Sequence, residues 1–266
     1  MGNIILKVED LNVESEGERI LDNLSFEVKE GEVLTILGPN GAGKTVLLKT
    51  LLGILPYKGK IEWTSPTQGR GLPLHGKTSR PDHPKKIKIG YVPQRLPFIK
   101  DIPMSVGEFF KLKVSSEKEV KEILNSIGLK DYNPPTASSH SSFYSEWASN
   151  ILAKKIGDLS SGQFQRILVG WAMVGNPQVL LFDEPTTGID ISGQESIYEL
   201  LEKLRKERNL TILLVTHDLS IVYKLATNCL CLNKKMLCYS VPKELTSERL
   251  SQLYGGKIKF YQHSHE

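Results

Sequence analysis

Three short stretches of this chain carry residues able to handle a phosphate ester and split it with water. The first is GPNGAGKT: Gly38, Pro39, Asn40, Gly41, Ala42, Gly43, Lys44 and Thr45. Its three glycines let the backbone turn with N–H groups pointing inward. With a following helix N-terminus, those groups make an anion nest for phosphates. Lys44 can reach the outer phosphates as a point charge. The Thr45 hydroxyl suits Mg²⁺, which takes oxygen ligands and keeps several waters. The second stretch is LLFDEP, Leu180 to Pro185. Asp183 can hold Mg²⁺ through water, and Glu184 beside it can orient and partly deprotonate an attacking water. The third is LSSGQ, Leu159 to Gln163. Ser160, Ser161 and Gly162 at a helix start offer backbone donors, and Ser160 adds a hydroxyl, again suited to phosphate. One chain needs one phosphate loop, so the third stretch serves a partner's nucleotide.

These residues need strand ends and helix starts to hold them. VLTIL (Val33 to Leu37) is continuously apolar, as a strand covered on both faces is. It runs into GPNGAGKT, and VLLKTLLGIL (Val46 to Leu55) has helical spacing. Strand, glycine loop and helix is the setting a phosphate loop requires. Upstream, residues 4–13 and 24–33 predict strands joined by a charged turn. Phe26 and Val28 alternate with Glu27 and Lys29 there, as in a half-buried antiparallel pair. Glu30-Gly31 makes a turn. Residues 104–129 predict two helices. Ser105 caps the first with Glu108 three residues on, Ser116 caps the second with Glu119, and Gly128 ends it. Further on come a helix over 162–174, a strand over 179–183, a helix over 193–208 and a strand over 211–215. This alternation predicts an α/β fold with a mostly parallel core sheet, an N-terminal antiparallel β subdomain and an inserted α-helical lobe. The expected organisation is a core over 1–95, the lobe over 96–158, the core resumed over 159–228, and C-terminal strands and tail over 229–266.

Residues 62–88 are rich in Pro, Gly and Ser/Thr, with Arg70, Lys77, Arg80, Lys85, Lys86 and Lys88 all basic. They predict a solvated surface insertion, as does the polar stretch 133–150. The net charge of +4 is too small to argue for nucleic acid, and none is expected as a partner. No apolar run reaches the ~20 residues of a membrane-spanning helix. The start, MGNIILKVEDLN, has no secretory pattern, and Gly2 lacks the Ser or Thr at position 6 that myristoylation needs. Cys229 and Cys231 lie two apart and share a strand face. With Cys238 they are expected to be reduced, the first two as small core residues.

With YVPQ (Gln94) and VTHD (His217), the five motifs stand in one order, and nearly the whole chain resembles the ATP-binding-cassette (ABC) family. The resemblance implies a P-loop ATPase using ATP and Mg²⁺. It implies a homodimer, or a dimer with a paralogue, in which each ATP lies between one subunit's phosphate loop and the other's signature (Ser160, Ser161, Gly162, Gln163). By matching, Gln94 senses Mg²⁺ and water, Asp190 crosses the dimer interface, and His217 contacts the γ-phosphate. The implied catalytic set is Glu184, His217 and Gln94, and the implied Mg²⁺ set is Thr45, Gln94 and Asp183.

Three positions depart from the family pattern. Ser15 stands where an aromatic residue usually stacks on adenine, Val46 where a hydroxyl supports the α-phosphate, and Ser161 where the signature has glycine. The segment from Lys88 to Phe110 resembles the branch that imports zinc or manganese, as does the tail with His263 and His265. That implies a subunit at the cytoplasmic face of the membrane, docked on integral permease subunits. An extracytoplasmic solute-binding protein would act through the same permease. An importer ATPase for another substrate, or a soluble ABC ATPase of translation or DNA repair, is the alternative.

Overall fold

The computed structural model describes residues 2–64, 87–94, 103–114, 116–129, 151–186 and 189–256, with Ile191 and Ser192 placed by backbone alone. Most of the 62–88 insertion, the 133–150 stretch, His263 and His265 lie outside the described residues. The chain forms two compact units, Met1–Lys88 with Asn209–Glu266, and Ile89–Arg208.

In the first unit, β1 (Ile4–Ser15) and β2 (Glu18–Lys29) form one long antiparallel hairpin. The expected charged turn shrinks to Glu16-Gly17, both at positive φ. The pairs Leu6–Val28 and Val8–Phe26 bury one face. β4 (Lys58–Trp63) adds to β1 from the other side. The opposite face carries exposed ion pairs, Lys7–Glu9 at 2.8 Å and Lys60–Glu62 at 2.8 Å. Such pairs contribute little to stability, but they keep that face in water.

β3 (Val33–Leu37) is fully buried between the parallel strands β7 (Thr211–Val215) and β8 (Asn228–Asn233). β9 (Lys235–Ser240) returns antiparallel to β8. Helix α1 runs Lys44–Leu51, starting and ending earlier than the 46–55 spacing predicts. Gly53 at φ 72° turns the chain out of it. Two helices unforeseen in the sequence, α6 (Leu219–Leu225) and α7 (Ser247–Tyr254), close the unit. Val222, Leu245, Leu250 and Leu253 pack with Leu37, Cys229 and Cys231 in one core.

In the second unit, β5 (Ile89–Val92) lies parallel to β6 (Val179–Asp183). The helices are α2 (Val106–Lys111), α3 (Glu117–Ser126), α4 (Ser161–Met173) and α5 (Ile191–Arg208). Ser105 and Glu108 form the expected capping box, Ser116 accepts from the Glu119 N–H, and Gly128 at φ 74° follows α3. A Cβ on Gly170 would meet Ile127, Ile123 and Phe110 within 3.3 Å, so its hydrogen lets α4 pack tightly on α2 and α3.

The cysteine expectation is corrected. Cys229 and Cys231 do share the core, and Cys229 is a free buried thiol. Cys231, however, is disulfide-bonded to Cys238. The β8–β9 register sets these two directly opposite with Cα atoms 4.8 Å apart, inside the range a disulfide spans.

Candidate nucleotide site

The phosphate loop leaves β3 at Leu37 and enters α1 at Lys44. Its conformation is dictated by what surrounds it. A Cβ on Gly38 would lie 2.1 Å from the Leu232 carbonyl oxygen, and one on Gly43 2.6 Å from Leu21 Cδ2. Gly43 also sits at φ 97°, in the left-handed region. The Ala42 N–H donates to Pro39 O at 3.2 Å, and Ala42 O accepts from the Lys234 N–H at 3.0 Å. Lys44 is buried, and its Nζ donates to Gly38 O at 2.8 Å and Pro39 O at 3.0 Å. The ammonium is thus already inside the turn, held by the backbone it would share with a phosphate. Thr45 is half-buried one residue on, while Asn40 and Gly41 are exposed at the rim.

His217 belongs to the same unit. Ile36 and Val215 are register partners in β3 and β7, and the Thr216 N–H reaches Ile36 O at 3.4 Å. The two strands run parallel, so His217 leaves β7 at the end where Gly38 leaves β3. It is exposed. Ser15 sits at the tip of the β1–β2 hairpin, exposed and paired with Glu18. On that hairpin, Ile20 and Leu21 press against Gly43.

In the second unit, β5 and β6 end together, with Val92 opposite Phe182. Two residues past each partner stand Gln94 and Glu184, and Gln94 Nε2 donates to Glu184 Oε2 at 2.6 Å. Asp183 closes the strand, 1% exposed. Burial, and then the Asp183 carboxylate, push the Tyr91 phenol up to about 12. That phenol therefore stays a neutral donor beside the acid pair. Glu184 has φ 48°. A left-handed glutamate costs ~1–3 kcal/mol and persists where the surroundings impose it, often at functional sites. Sequence reading gave Gln94 and Glu184 separate roles, and their mutual hydrogen bond was not visible to it.

The signature stretch starts α4. Ser160 Oγ accepts from the Gln163 N–H, and Gln163 Oε1 accepts from the Ser160 N–H, both at 3.2 Å. This capping box ties down the side-chain ends of the motif. The Ser160 oxygen accepts there and still has an O–H to donate. Ser160 and Ser161 are exposed, and among the described residues a Cβ built on Gly162 would meet nothing within 4 Å beyond its chain neighbours and its own helix backbone. Arg166, unflagged in the sequence, anchors the helix: its guanidinium donates to Ile127 O at 2.5 Å and to the Ser196 hydroxyl. Asp190 is exposed just before α5, and its carbonyl accepts from the Gln194 N–H.

Among the described residues no helix is long and apolar enough to cross a membrane. The family model described as ABC transporter matches residues 21–187. The zinc import ATP-binding protein ZnuC of Magnetococcus marinus is 33% identical over 267 residues, covering 98% of this chain and 88% of its own. That of Wigglesworthia glossinidia brevipalpis is 32% identical, covering 93% of each. Among solved structures, CbiO1 from Clostridium perfringens, part of the ABC transporter complex CbiONQ, aligns with a TM-score of 0.68. It is 26% identical and covers 94% of each chain. An ATP-binding cassette of an ABC transporter in its ADP conformation aligns at 0.70. At 20% identity over 96% of this chain and 99% of that one, it is similar in fold.

Proposed function

The chain belongs to the ABC transporter family, and from that premise we propose that it powers import of a divalent metal ion, zinc or manganese, through a separate membrane permease. It is an ABC-type ATPase that binds and hydrolyses ATP. The observation that carries the metal reading is the likeness to zinc import ATP-binding proteins over 98% of the chain. The subunit would work as a head-to-tail dimer at the cytoplasmic face of the membrane, each signature stretch facing its partner's nucleotide. A solute-binding protein outside would deliver the ion.

The roles proposed for each side chain draw on its chemistry and on the geometry within its own unit. The loop amides and Lys44 receive the β- and γ-phosphates, Lys44 exchanging two loop carbonyls for phosphate oxygens. Glu184 takes a proton from water as that water attacks the γ-phosphorus. The bond to the β,γ-bridging oxygen breaks, leaving ADP and phosphate. Gln94 holds the Glu184 carboxylate until nucleotide draws it away. His217 contacts the γ-phosphate, and Asp190 reaches across the dimer. The donors assigned to Mg²⁺, the Thr45 hydroxyl, the Gln94 amide oxygen and the Asp183 carboxylate, are all hard oxygens and fit that ion. Mg²⁺ would neutralise charge developing on the phosphates.

The test is uptake of radiolabelled zinc and manganese by cells carrying or lacking this chain, with co-purification of its membrane partner. ATP-dependent uptake of either ion that is lost with the chain, together with a multi-span partner, is the expected result. Uptake of an unrelated solute, or recovery on ribosomes without a membrane partner, would overturn it.

A further inference from the structure

The β8–β9 hairpin ends against the phosphate loop. The Leu232 carbonyl takes the space in front of Gly38. The Lys234 N–H donates to Ala42 O, and Lys234 O accepts from the Asp22 N–H at 2.8 Å. Lys235 pairs with the Asp22 carboxylate at 3.1 Å, and Arg19 pairs with the same carboxylate at 2.9 Å. The turn at Asn233-Lys234 therefore clamps the loop to β2. Cys231 and Cys238 bridge the two strands just behind that turn. Cys231 is the β8 register partner of Leu37, the residue before Gly38.

A persistent disulfide is rare in the cytoplasm, and those that form there are usually transient or redox-sensing. We propose that Cys231 and Cys238 are a reversible thiol–disulfide site that sets how firmly the hairpin holds the phosphate loop. The inference rests on the phosphate-binding and cytoplasmic readings above. Cys231 is 1% exposed, whereas Cys238, at the edge of the core, is only half-buried. Attack therefore begins at Cys238. Its thiolate displaces one thiol from a small-molecule disulfide, giving a mixed disulfide. Cys231 then loses its proton, attacks the Cys238 sulfur and releases the second thiol. Two protein thiols are oxidised, and one small disulfide is reduced to two thiols. Cys229 takes no part: burial pushes its thiol up to about 11, and it faces Thr35 Oγ1. The bridge fixes both hairpin strands, so the oxidised loop is pre-organised and loses less freedom when phosphate binds.

The experiment uses the full chain equilibrated with oxidised glutathione or with a phosphine reductant. Alkylation followed by mass measurement should find one free thiol after oxidation and three after reduction, since the chain has 3 cysteines and one disulfide. Oxidation should slow amide exchange over 38–45 and tighten Mg-ATP binding, each by about 2–10-fold. Cys238→Ser should behave as the reduced protein under both conditions, and Cys229→Ser should keep the full response. Three free thiols after oxidation, or equal exchange and affinity in both states, would overturn the proposal. Lys44→Ala separates the readings. If it binds Mg-ATP normally, the phosphate-loop assignment fails, and the exchange difference still decides the redox site.

Discussion

The phosphate loop and the signature stretch both present small residues at a helix start, yet they are built in opposite ways. The loop is enclosed. Gly38 meets a backbone carbonyl, Gly43 meets β2, and Lys44 is buried against two loop oxygens. The signature is open: Ser160 and Ser161 are exposed, and among the described residues a Cβ on Gly162 would meet nothing beyond its neighbours and its own helix backbone. It is tied down within its own segment, by its capping box, by the Phe164 N–H on Ser160 O at 2.8 Å and by the Lys154 ammonium 3.4 Å from Gln163. The first is over-determined by its own chain, as a site that must grip a ligand unaided would be. The second has its shape with its serines turned to solvent among the described residues, which fits a motif completed by another subunit.

The largest expected effect breaks that contrast directly. Gly38→Ala puts a methyl about where the Leu232 carbonyl stands, and the overlap should cost roughly 3 kcal/mol or more of local stability. Mg-ATP binding, followed by calorimetry, should fall below detection. Gly162→Ala meets nothing and, being helical, should stabilise α4 by about 0.5–1 kcal/mol. Its melting temperature should hold or rise slightly and its monomer ATP affinity should hold, while hydrolysis collapses. An equal loss of ATP binding in both variants would mean that the two motifs serve one nucleotide within one chain.

Glu184→Gln comes next. The substitution keeps a partner for Gln94 but removes the proton acceptor, so turnover should drop about 10²–10⁴-fold. ATP should still bind, and size-exclusion chromatography with Mg-ATP should show an accumulated dimer. Turnover near wild type would remove Glu184 as the base and reduce its left-handed φ of 48° to a local feature of the strand end.

The same contrast separates what could be read in the sequence from what could not. Local chemistry was legible. The strand-loop-helix at Gly38, the caps at Ser105 and Ser116 and the stop at Gly128 each follow from a few adjacent residues. Contacts between distant segments were not. Nothing in NCLCLN announces that Cys231 will face Cys238, because that depends on a hairpin register with a bulge after Cys231. The close pair Cys229 and Cys231 drew attention, while the partner lay seven residues on, across the Asn233-Lys234 turn. The Gln94–Glu184 hydrogen bond, ninety residues apart, is of the same kind. Short helices such as α6, seven residues long, fell below the length at which periodicity speaks. The Glu16-Gly17 turn was hidden by charged residues that turned out to be strand.

The smallest effect concerns the end of the nucleotide that the enclosed loop does not reach. Ser15 lies exposed at the hairpin tip, on the hairpin whose Ile20 and Leu21 touch Gly43. No aromatic ring precedes Phe26 in the sequence. A base lying over that tip would meet no aromatic ring of the hairpin before Phe26, and ATP and GTP should bind with similar affinity. A ring at that tip can add about 1–3 kcal/mol of stacking, so Ser15→Tyr should tighten Mg-ATP binding about 5–150-fold. The site faces solvent, so the lower part of that range is the expectation. Unchanged affinities in Ser15→Tyr would mean that the base does not pass over the hairpin tip. The phosphates would then hold the nucleotide almost alone, sharpening the contrast between a loop built to grip and surroundings that only guide.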